Sequence, residues 1–138
     1  MASSSNRNSG GVSGGSGSGG GGGGGSSASD RLTVIYNAYK SAFARRAADL
    51  REATTSDQVQ SIMDNVDALE GSYLDAARTS LDATGPDIEA CYQAALSATQ
   101  AVEKAYAQGK ALAARITAVS GVVAAVGNLV IKAAEVAA

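Results

Sequence analysis

At 138 residues, with thirteen acidic and eleven basic side chains, the chain carries a net charge of −2, too balanced to point to nucleic acid as a ligand. It has no Trp, no His and a single Cys, which excludes an intramolecular disulfide and removes the commonest general base and metal ligand. An Ala-rich chain with one proline suits helices packed closely through small side chains, so the expected fold class is all-α.

From Ser3 to Ser29 nearly every residue is Gly or Ser, including the run Gly19–Gly25. Such a segment has no apolar surface to offset its backbone entropy, so residues 1–29 read as a disordered tail or linker. A phosphate-cradling glycine loop would need a preceding strand and a following Gly-Lys-Ser/Thr, and neither is present. The first residues hold no apolar stretch of the Sec signal type, leaving a cytoplasmic location or export by a specialised system.

The helical domain is expected over 30–138. Its first helix, about 30–54 with Ser29 as N-cap, repeats Leu32, Ile35, Tyr36, Tyr39, Phe43, Ala47 and Leu50 at helical spacing. Thr55 and Gln58 have capping-box spacing and open a second helix, about 57–83, striped by Val59, Ile62, Met63, Val66, Leu69, Tyr73, Ala77 and Leu81. The short connection makes the two antiparallel neighbours. The first carries Arg31, Lys40, Arg45, Arg46 and Arg51 against three acids; the second carries Asp57, Asp64, Asp67, Glu70, Asp75 and Asp82 against Arg78. Opposite charge helps to fix such a pairing, with Arg45, Arg46 and Arg51 as ion-pair partners for the second helix.

Thr84-Gly85-Pro86 breaks the chain, since Gly ends one helix and Pro suits the first turn of the next. From Pro86 the pattern runs to about 137 with no strong cap, as an antiparallel hairpin plus one long third helix. A kink or fold-back near 109 or 120, where Gly109 and Gly121 stand, would turn that helix into two and make a three- to four-helix bundle. If the helix persists, its half from Ala111 to Ala138, the most apolar of the chain, has no neighbour to cover it. The expected interaction surface is then Ile116, Val119, Val122, Val123, Val126, Leu129 and Val130.

The acids of the second helix interleave with its apolar stripe and read as a solvated face, and bundle carboxylate sites need Glu-x-x-His motifs that this chain lacks. Cys91 beside Tyr92 reads as a small core hydrophobe. No Ser or Thr has a base partner, so no catalytic, cofactor or metal site and no small-molecule substrate is expected. In type the organisation is similar to the small helical hairpins of bacterial secretion systems, without their Trp-x-Gly turn.

The function expected is a non-enzymatic interaction or structural role, with the C-terminal helix self-associating or docking on another helical protein. The alternative is a membrane-active or secreted protein whose 116–131 segment enters or lies on a membrane. Its sixteen uncharged residues span about 24 Å, short of a ~30 Å hydrocarbon core.

Overall fold

The computed structural model describes residues 25–137, which fold into four α-helices: α1 Ala28–Glu52, α2 Ser56–Arg78, α3 Pro86–Ala107 and α4 Leu112–Ala137. The all-α bundle is therefore the architecture of the described residues. Residues 1–24 of the expected tail lie outside them. Its last residues are part of the fold. Ser27, not Ser29, caps α1, its Oγ accepting from the Asp30 amide at 3.0 Å while its own amide donates to Asp30 Oδ2 at 2.9 Å. An aspartate at this third position closes the reciprocal cap as Glu does elsewhere, and moves the helix start to Ala28.

Thr55 caps α2 by accepting from the Gln58 amide at 3.1 Å, while Gln58 Oε1 reaches back to the Thr54 amide at 2.8 Å. The helix stops at Arg78, short of the expected 83. Leu81 is buried as its stripe position requires, yet it belongs to the connection. Ser80 and Asp82 bond each other instead of continuing the helix, with the Asp82 amide donating to Ser80 Oγ at 3.3 Å. Short polar side chains of this kind compete with the helical ladder. Gly85, with φ of +135°, then adopts a backbone shape closed to other residues and leads into Pro86 at the start of α3.

The long third helix does not persist. It breaks at Gly109, whose φ of +64° is left-handed, and the chain folds back. The Lys110 amide donates to Ala105 O at 3.0 Å and the Gly109 amide to Tyr106 O at 3.1 Å, the paired bonds of a Schellman termination. The break near 120 does not occur, because α4 runs through Ser120 and Gly121.

Two antiparallel hairpins, α1–α2 and α3–α4, share the most extensive contacts, and α2 lies along α4. α1 runs parallel to α3, since Ser26 meets Glu89 at one end and Asp49 meets Tyr106 at the other. Among the described residues α2 and α3 do not approach each other, so the 79–85 connection crosses the bundle end diagonally. Ile35, Leu69, Ile88, Val126 and Leu129 are fully buried where the four helices meet. Each contributes about 1.5–3 kcal/mol by leaving water.

Candidate interaction surface

The fold-back decides the fate of the face expected on the C-terminal helix. Val122, Val126, Leu129 and Val130 are buried in the core, against residues such as Val34, Ile35 and Leu69. Ile116, Val119 and Val123 are half-buried at its edge. The apolar stripe expected to lie open is thus the inner wall of the bundle, because the break at Gly109 brings α3 and the first hairpin over it. Outside, α4 presents Thr117, Gly121, Ala124 and Asn128, small and uncharged, with Ile131 exposed towards its end.

Two buried polar clasps fasten α1 to the second hairpin. Arg31, 2% exposed, donates from Nη1 to Leu81 O at 2.6 Å and to Ala83 O at 2.7 Å. Its Nη2 and Nε donate to Ser26 O and Ser26 Oγ at 2.7 and 2.8 Å. Ser26 in turn donates twice to Glu89 Oε1, from its amide and its hydroxyl. The hydrogen bond donated by the Ser26 backbone amide, seconded by one from the Gln93 side chain, holds the Glu89 carboxyl below its ordinary pKa. One arginine thereby joins the start of α1, the diagonal connection and α3.

At the opposite end, Asp49 accepts from Arg115 Nη1 at 3.0 Å and from the Tyr106 hydroxyl. Arg115 also pairs with Glu52. Two guanidinium groups lie close to the Tyr106 ring, that of Arg45 4.0 Å and that of Arg115 5.1 Å from its centre. Burial, and then the Asp49 carboxylate, push the Tyr106 phenol well above its ordinary range, so it stays protonated and keeps donating. The buried Asp49 and Arg115 are each other's counter-ion across α1 and α4. Removing either partner would leave the other charge buried and uncompensated.

These contacts also correct the expected pairing of the first two helices. Arg45 binds Glu103 on α3 at 3.0 Å, and Arg46 stacks 4.8 Å from the Phe43 ring. Among the described residues no ion pair joins α1 to α2. The charges that pair do so within a helix or with α3 and α4, and Lys40 of α1 and Asp67 and Glu70 of α2 form no ion pair among the described residues.

What joins α1 and α2 is aromatic. Tyr73 of α2 lies 5.1 Å from Tyr36 and stacks on Tyr39 at 6.0 Å, and Tyr39 meets Phe43 edge-on at 6.0 Å. This cluster does not close over. Tyr36 is 41% and Phe43 49% exposed, with Val59 and Leu74 of α2 open to similar extents. Four of the six large hydrophobic side chains exposed among the described residues thus belong to the α1–α2 hairpin. The sequence stripe of α1 concealed this because it merges two adjacent columns. Ile35 and Ala38 turn inward, while Tyr36 and Phe43, seven residues apart, face out along the seam. Bulky aromatics in one column and small aliphatics in the next were the available signal.

Two hollows between the helices, one lined by Asp49, Asn65, Tyr106 and Ile116 and one by Ala42, Arg45, Thr99 and Val119, hold about 20 Å³ each. That is room for a water and far below a substrate pocket. Cys91 is partly buried and packs against the core. No protein-family model matches the chain, and neither the curated proteins nor the solved structures contain a match.

Proposed function

We propose that this chain is a non-enzymatic helical interaction or structural protein that works through the outer face of its α1–α2 hairpin. The observation that carries this reading is that Tyr36, Phe43 and Leu74 stay exposed at an aromatic cluster that does not close over, with Val59 exposed further along the same hairpin. Scattered apolar side chains are ordinary on a protein surface, whereas aligned aromatics with cationic neighbours mark contact surfaces. Lys40 over Tyr36 and Arg46 over Phe43 keep the exposed rings soluble in the free protein.

The test separates folding from docking. If the seam serves docking, Phe43→Ser lowers stability by less than about 1 kcal/mol, measured by urea unfolding, and lowers the fluorescence of a bound apolar dye. A loss of about 3 kcal/mol, the scale of a core phenylalanine, would make the seam part of the fold alone.

A second reading concerns α4, which is long and apolar enough to cross a membrane by length and composition, with most of its residues keeping an exposed side. Its uncharged outer face would then lie on a bilayer. Co-sedimentation with phosphatidylcholine vesicles that is lost in Ile131→Asp supports this reading, and no co-sedimentation of the intact chain removes it.

A further inference from the structure

We infer that the occupant of the α1–α2 face is a second copy of this chain, related by a two-fold axis parallel to the two helices. The inference rests on the docking reading above and adds the partner. Its basis is the unspent charge. Lys40 stands on the α1 edge of the aromatic seam, while Asp67 and Glu70 are exposed on α2. Among the described residues none of the three forms an ion pair. The face therefore carries an unpaired positive charge on its α1 side and two unpaired negative charges on its α2 side, with exposed apolar side chains between.

Such a face is complementary to itself in one orientation. Two copies laid face to face about an axis along the seam place α1 of each over α2 of the other. An axis across the seam would set α1 on α1 and oppose like charges. Height along the seam agrees. Tyr73 contacts both Tyr36 and Tyr39, and the helices are antiparallel, so Lys40 just beyond Tyr39 and Glu70 one turn before Tyr73 stand level. Rotation about an axis parallel to the helices preserves height. Lys40 of each copy then meets Glu70 of the other, twice per dimer, and Tyr36 of each lies near Leu74 of the other. The aromatic strip supplies the buried area; the charged edges choose the orientation.

Sedimentation velocity on the full chain tests this. The wild type should dimerise. Lys40→Glu, which makes both edges acidic, and the double variant Asp67→Lys/Glu70→Lys, which makes both basic, should each weaken the dimer about tenfold or more. An equal mixture of the two should restore a dimer of wild-type strength, because acidic edges then face basic ones. A mixture that stays monomeric overturns the inference, as does a wild-type dimer indifferent to both variants. A wild type monomeric to about 1 mM also overturns it. In that monomer, dye fluorescence that falls in Phe43→Ser leaves the face a docking surface for another protein, and unchanged fluorescence sinks both readings.

Discussion

Arg31 shows how much of this fold depends on single polar side chains. Its guanidinium satisfies three backbone carbonyls and a serine hydroxyl from two separate segments, all within the bundle. Truncation leaves those carbonyls without a donor, so Arg31→Ala should lower stability by about 2–4 kcal/mol in urea unfolding, and Arg31→Lys should recover only part of it. The neighbouring Glu89 gives the site a pH dependence. Its folded pKa is depressed, so its stabilisation is complete above the ordinary glutamate value of 4.5 and is lost as pH falls through the lower folded value. Unfolding free energies measured from pH 6 downward should fall below that value in the wild type, and less steeply in Glu89→Gln. Neither role is legible in the sequence, where Arg31 is one of five basic residues of the first helix and nothing singles out Glu89. A side chain that collects carbonyls from a loop fifty residues away leaves no periodic trace.

At the scale of the element, the sequence specifies what is repeated or capped. Thr55 with Gln58, Gly85 with Pro86 and the 3.6-residue stripes of α1 and α2 all place helices where the structure has them, to within a few residues. The turn at Gly109 is less legible. The residue before α4 is Ala111, whose side chain has no acceptor to cap it, and the stop of α3 is made by backbone bonds around one left-handed residue. A lone glycine inside a helical pattern reads equally as a tolerated interruption. At φ of +64° any side chain is strained, although a Cβ there meets no neighbouring atom. Gly109→Ala should therefore lower stability by about 1 kcal/mol without disturbing the core, whereas Gly121→Ala, inside α4 with open space around it, should stabilise slightly. Paired thermal melts of the two variants check both signs.

For the whole molecule, the fold-back reassigns the apolar half of the chain. Read along the sequence, Ile116 to Val130 resembles a surface awaiting a partner; in the bundle, its strongest residues are the core. Among the described residues, four of the six exposed large hydrophobic side chains instead belong to the α1–α2 hairpin. Periodicity reports that a stripe is apolar but does not say whether its covering comes from the same chain, since that depends on one turn. Charge was informative at this scale in an indirect way. The opposite signs of α1 and α2 were visible from composition, but their side chains turn to α3, to aromatic rings or to solvent rather than to each other.

The measurement that bears most directly on this account compares Phe43→Glu with Val126→Asp, each followed by circular dichroism and sedimentation velocity. If α4 is the core and the α1–α2 seam the docking face, Phe43→Glu keeps its helical signal and melting cooperativity while losing association, and Val126→Asp unfolds because it buries a carboxylate at a fully enclosed site. A Val126→Asp chain that stays folded and loses association would contradict it.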